Sequence, residues 1–244
     1  MGQFPWWKLV HCNVKRGKLM GLNANDGIGG KSKLSFKLME AGSAPARLVQ
    51  IIDLGLQPDT YQGVEQAPKR RLLYTYEFPY EFMLDEEGKE QTDKPRWISE
   101  DMPFYSLGAT KAKSTERYNA FDPSGVHDGD LEKCLGAPVM VTIIHNPGKG
   151  KNKGKVYENI AGVSAMQSKM AASLPQLVNP PKIFDLDSPD MEIYNSLPKF
   201  IQDKIVSNLE FTGSKLEAAI GKGSAPTPPK KDLKEELDDD LAPY

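Results

Sequence analysis

Cysteine is scarce in this chain. Among 244 residues there are two, Cys12 and Cys134, far apart in sequence. No CxxC, HxxxH or carboxylate cluster stands beside them, so neither a zinc framework nor a disulfide scaffold is expected. Two reduced thiols in a cytoplasm are the natural reading, and His11 next to Cys12 is read as coincidence. Long apolar runs are also missing. None approaches the roughly 20 residues that a membrane helix requires. The opening stretch, MGQFPWWKLVHCNVKRGKL, has no charged segment followed by an apolar one, so no secretory signal is expected. Trp6 occupies the place where a myristoylation signal needs Ser or Thr.

Catalytic signatures are absent too. Gly29-Gly30-Lys31-Ser32 looks like the end of a phosphate-binding P-loop, but the glycine required five positions before Gly30 is Asn25. The three histidines, His11, His127 and His145, lie in unrelated settings, and no GxSxG or Cys-His pattern occurs. Asp85-Glu86-Glu87 and Asp128-Gly129-Asp130 sit in turn-like sequence and read as solvated loops, although a divalent-metal nuclease can carry its acids this way. No cofactor and no metal are expected.

What is present is ordinary in bulk and uneven in detail. Hydrophobic residues make up 39% and charged residues 26%, proportions of a globular protein. The net charge of −2 conceals an acidic end. Residues 230–244 hold three lysines and six acids, net −3, whereas residues 1–229 hold 28 bases and 27 acids, net +1. A near-neutral body cannot bind nucleic acid by charge alone.

Composition divides the chain into three parts: a folded domain over 1–220, a flexible linker over 221–233 and an acidic tail over 234–244. GKGSAPTPPKK at the linker has three prolines and no large apolar side chain, so it cannot bury enough surface to offset its ordering entropy. Within the domain, Ala46–Leu56 reads as a strand. Arg70–Leu84 alternates Leu72, Tyr74, Tyr76, Phe78, Tyr80 and Phe82 with polar residues, the period of a half-buried strand. Pro79 implies an edge or a bulge. Pro95–Ile98 is a short third strand, Ala109–Phe121 a helix, and Pro138–His145 and Lys155–Val163 two further strands around the loop NPGKGKNKG. That order, with a helix between the third and fourth of five strands, is the order of an OB-fold barrel. Ser196–Phe211 places Leu197, Phe200, Ile201, Ile205 and Leu209 at helical spacing and predicts an added C-terminal helix that packs on the barrel. The expected class is therefore mainly β: a five-stranded OB-fold-like barrel with a short helix, a C-terminal helix and a disordered tail. Residues 1–45, with FPWWKLV and a glycine-rich loop, read equally as a strand or an adhesive arm.

Bases and aromatics fall on adjacent elements. Lys69, Arg70 and Arg71 precede Tyr74 and Tyr80, Arg96 and Trp97 lie on the next strand, and Lys149, Lys151, Lys153 and Lys155 run along the loop to Tyr157. Aromatic rings stack on bases and cations track phosphates, the two ingredients of sequence-tolerant single-strand binding. The same alternating aromatics also suit a barrel core. Both readings stay open here, with Tyr74, Tyr80 and Trp97 expected to stack first.

The last eleven residues, KEELDDDLAPY, resemble the C-terminus of bacterial and bacteriophage single-stranded DNA-binding proteins: an OB-fold core, a Pro/Gly-rich linker, then an acidic peptide with an apolar-proline-aromatic tip. The segments LGAPVMVTIIHNPGKGKNKGKVYENIAGVSAM, LPQLVNPPKIFDLDSPD and LPKFIQDKIVSNLEF also look like phage replication-region proteins. Tyr244 stands where that family usually has phenylalanine, and Ala242 is inserted before Pro243. The resemblance implies a non-catalytic protein that coats single-stranded DNA in the host-cell cytoplasm without strong sequence preference. It would recruit polymerase, helicase or recombinase through Asp238, Asp239, Asp240, Leu241, Pro243 and Tyr244, possess no membrane anchor, and pair as a homodimer. The alternative from another class is a metal-dependent nuclease of phage DNA metabolism; a third is an adaptor that binds only proteins.

Overall fold

The computed structural model describes residues 37–221, and linker residues 222–233, the acidic tail, Cys12 and Gly29–Ser32 lie outside them. Three long strands come first: β1 (Gly42–Tyr61), β2 (Val64–Leu84) and β3 (Glu90–Pro103). Helix α1 (Lys113–Phe121) follows, then β4 (Pro138–Pro147) and β5 (Val156–Ala165). The C-terminal part holds α2 (Ser168–Ser173), β6 (Lys182–Phe184), α3 (Met191–Ser196), α4 (Lys199–Val206) and α5 (Lys215–Gly221).

The sheet order is β3-β2-β1-β4-β5, each neighbouring pair antiparallel, and short β6 adds parallel to β1 over Gln50–Ile52. The fold is mainly β, as expected, with the helix between the third and fourth strands. The sixth strand is additional to the five that the sequence predicts. The sheet is not closed: β3 and β5 are its two ends and share no ladder.

Strand β1 is buried on both faces, which explains its nearly unbroken apolar run. Ala46, Leu48 and Ile51 enter one core, whereas Ile52 and Leu54 enter another. The side-chain phase changes at a register shift between Leu48 and Gln50. A second shift falls at Asp53/Gly55, where Gly55 has φ +74° and a Cβ would lie 2.7 Å from Asn208 Cγ. Only glycine fits that bend.

The first core lies between the sheet and α1. It takes Leu72, Tyr74, Tyr76 and Phe78 of β2, Val139, Val141 and Ile143 of β4, and Tyr118 and Phe121 of α1. The even face of β2 is therefore interior, and Pro79 sits in a register shift against β3. A buried ion pair stands in this core: Arg117 Nε donates to Glu100 Oε1 at 2.7 Å, and Tyr76 donates its hydroxyl to the same oxygen at 2.8 Å. After α1, the Asp122 carboxylate accepts the Val126 and His127 N–H groups and ends the helix in a tight loop.

The second core covers the opposite face of β1 and β2. Ile52, Leu54 and Leu73 pack against Phe184, Tyr194, Leu197, Ile201, Ile205 and Leu216. The helix expected over 196–211 is shorter, α4 over Lys199–Val206, and α3 precedes it. Asp190 caps α3 by accepting the Glu192 N–H at 2.8 Å, and Ser196 ends that helix rather than starting one. Pro198 then adopts an extended ψ of 146° and begins α4. Ile201 and Ile205 face the core as the spacing predicts, whereas Phe200 is exposed and Leu209 lies exposed beyond the end of α4. Among the described residues, no helix is long and apolar enough to cross a membrane.

Candidate nucleic-acid interface

The two ends of the sheet meet through side chains. Arg96 of β3 makes an ion pair with Glu158 of β5; Arg96 Nη1 lies 3.0 Å from Glu158 Oε1 and also donates to the Lys37 carbonyl at 2.6 Å. The Met39 N–H reaches Glu158, and the Met39 carbonyl lies 2.8 Å from His145 Nε2. Residues 37–39 thus lie along the seam between the sheet ends.

A cleft of about 530 Å³ opens along that seam. Trp97 and Pro95 of β3, Met83 of β2, Val156 and Tyr157 of β5 and Phe200 of α4 line it. Trp97 is 40% exposed and Phe200 64%, so aromatic surface faces solvent here. The loop before Val156 carries Lys149, Lys153 and Lys155 on exposed backbone, with a short 3₁₀ turn over Gly150–Asn152. Lys155 Nζ donates to Asn152 Oδ1 at 2.9 Å, and no described ion pair holds these three lysines. The side chain of Lys151 lies outside the described set.

The cleft brings together two of the expected nucleic-acid-binding residues, Trp97 and Tyr157. Sequence reasoning missed Phe200, which its spacing assigned to the core.

Two expected contacts are corrected. Tyr74 is fully buried and packs edge-on against Phe121 with ring centroids 5.5 Å apart, so it is not available to stack. Burial pushes its hydroxyl well above the ordinary tyrosine range. Arg96 is also buried, because the seam needs its charge against Glu158.

The basic trio on β2 has its charge matched. Lys69 Nζ lies 2.6 Å from Asp59, whose hydrogen bond raises the lysine pKa and in turn lowers that of the acid. Arg70 pairs with buried Asp53, which raises its pKa, and faces Asp187 at 3.6 Å. Arg71 Nε donates to Asp101 at 2.7 Å. Tyr80 is exposed as expected, but it does not line the cleft. The acidic peptide residues Asp238, Asp239, Asp240, Leu241, Pro243 and Tyr244 lie outside the described residues.

Charge over the described part is also unlike the expectation. Residues 37–221 hold 21 bases and 26 acids, net −5, while residues 1–36 hold six bases and one acid, net +5. Among the described residues, no three His, Cys, Asp or Glu side chains gather as metal ligands. Comparison of the chain with protein-family models, curated proteins and solved structures finds no match. The reading therefore rests on the chain's own chemistry.

Proposed function

We propose that this protein binds single-stranded DNA, without catalysis, in the aromatic cleft at the β3–β5 seam. One observation carries the reading: Trp97, Tyr157 and Phe200, from three different elements, line one open cleft beside the lysines of the β4–β5 loop. Base–aromatic stacking is tolerant of sequence and contributes roughly 1–3 kcal/mol per base. Duplex DNA keeps its bases stacked on each other, so an aromatic cleft favours single strands. The strand order supports the same reading. β1 is bonded to both β2 and β4, and a helix separates β3 from β4, an arrangement that fits an OB-fold barrel whose final seam is joined by side chains. Lysine–phosphate contacts then add a salt-dependent term.

In this reading the tail is a tethered ligand for the basic pockets of replication or recombination proteins. Its Pro243-Tyr244 pair offers an aromatic ring for capture, and its five acids in eleven residues disfavour a DNA contact.

Gel-shift titration of the full chain with single-stranded oligo(dT) and a matched duplex tests the proposal. Preferential, salt-sensitive retention of the single strand is expected. Equal binding of both forms, or of neither, overturns it.

A further inference from the structure

The cleft tryptophan is held from behind. Glu77 and Trp97 are direct cross-strand partners in the β2–β3 ladder, so their side chains rise side by side on one face. Trp97 donates its indole N–H to Glu77 Oε2 at 3.1 Å. That carboxylate is 1% exposed although it sits next to a ring that is 40% exposed. It also accepts the Val178 N–H at 2.7 Å on Oε1, and on Oε2 the Asn179 N–H at 3.3 Å and the Asn179 side-chain amide at 2.7 Å. Four N–H groups thus converge on one buried carboxylate, and no described ion pair supplies it with a cation. A charge removed from water is tolerated only when such donors replace its hydration.

We propose that Glu77 is a positioning residue for nucleobase stacking, fixing the Trp97 ring in the cleft through the indole N–H. This rests on the single-strand reading above. An aromatic side chain free to rotate loses conformational entropy when a base stacks on it, and one already anchored loses little. The bond to Glu77 removes that freedom while leaving the ring accessible. Segment 178–179 is tied to the same carboxylate, so it shares the anchor.

The test uses the full chain with Trp6→Phe and Trp7→Phe, which leaves Trp97 as its sole tryptophan. Time-resolved fluorescence anisotropy without DNA reads the motion of the ring. Glu77→Gln removes the charge and points an NH₂ at one of the donor sets; a new nanosecond component is expected, with oligo(dT) binding weakened roughly ten-fold. The salt dependence of binding stays unchanged, because no phosphate contact is altered. Asn179→Ala, which loosens the strap but spares the indole bond, leaves the anisotropy as it was. Unchanged ring motion in Glu77→Gln, or an equal change in Asn179→Ala, overturns the proposal. Should Glu77→Gln not fold, Trp97→Phe decides: a ring without the N–H binds nearly as weakly as Trp97→Ala if the anchor matters, and wild-type affinity defeats it. Failure of the unmutated chain to bind oligo(dT) would instead defeat the single-strand reading, while the anisotropy still reports on the anchor.

Discussion

Arg96 and Glu158 are 62 positions apart in sequence, yet they meet as a buried ion pair at the place where the two ends of the sheet come together. Among the described residues no backbone ladder joins β3 to β5, and this pair and the residue 37–39 segment are polar links across the seam. Arg96→Ala leaves Glu158 buried without its cation. A loss of about 3–5 kcal/mol of stability is expected, read as a lowered urea midpoint. Stability unchanged within about 0.5 kcal/mol would show that the pair does not hold the seam.

Tyr74 provides the opposite case. Its hydroxyl is buried and has no hydrogen-bond partner. Tyr74→Phe removes an unsatisfied polar group, so stability should be equal or higher by up to about 1–2 kcal/mol. DNA affinity should not change. Weakened binding by this variant would return Tyr74 to the interface.

The cleft and its loop are expected to separate in their salt response. Trp97→Ala and Phe200→Ala should each weaken oligo(dT) binding by about 1–3 kcal/mol with little change in slope against salt. Replacing Lys149, Lys153 and Lys155 together should instead flatten log K against log salt by up to about two units, at roughly 0.7 per phosphate lost. Titration at several salt concentrations separates the two effects.

Burial pushes the Cys134 thiol up to about 11, assisted by the charges of Asp122 and Asp130. At pH 8 its thiolate fraction is therefore small. In a Cys12→Ser variant, iodoacetamide should label the native chain at least about a hundred-fold more slowly than the urea-unfolded chain. Equal rates would mean that Cys134 is not enclosed as described.

Acid should loosen the loop after α1. Burial pushes the Asp122 carboxyl up, but the His127 and Val126 N–H groups and the Tyr118 hydroxyl outweigh it, and the pKa ends below the ordinary carboxylate value. A depressed folded pKa adds stability above the unfolded value near 3.9, and that stability disappears as pH falls through the folded pKa. The melting temperature should thus fall below about pH 4, and less steeply in Asp122→Asn. An identical pH profile in both would contradict this role.

Strands were legible wherever alternation was strong. The period of Arg70–Leu84 identified β2 and its apolar face, and Pro79 marked its irregularity. Alternation does not reveal whether a face points into a core or into solvent, and so Tyr74 was misplaced. Strand β3 runs from Glu90 rather than Pro95 because Glu90–Lys94 is polar edge sequence, paired by its neighbour and not by its own pattern. Helical spacing identified Ile201 and Ile205 as core, but the helix stops at Val206, short of Leu209, and spacing alone does not show where a helix ends. The bases were the least legible part of the site. Spacing shows where a cation stands, but not that Asp53, Asp101 or Glu158 faces it across the fold.

Strand β1 carries a further consequence. Ile51 and Ile52 are neighbours in the chain, yet one belongs to each core. A single ribbon of backbone is therefore the party wall of both compartments, and neither can melt without stripping one side of it. The described fold should lose its two cores in one cooperative transition, and substitutions along β1 cannot be accommodated one compartment at a time.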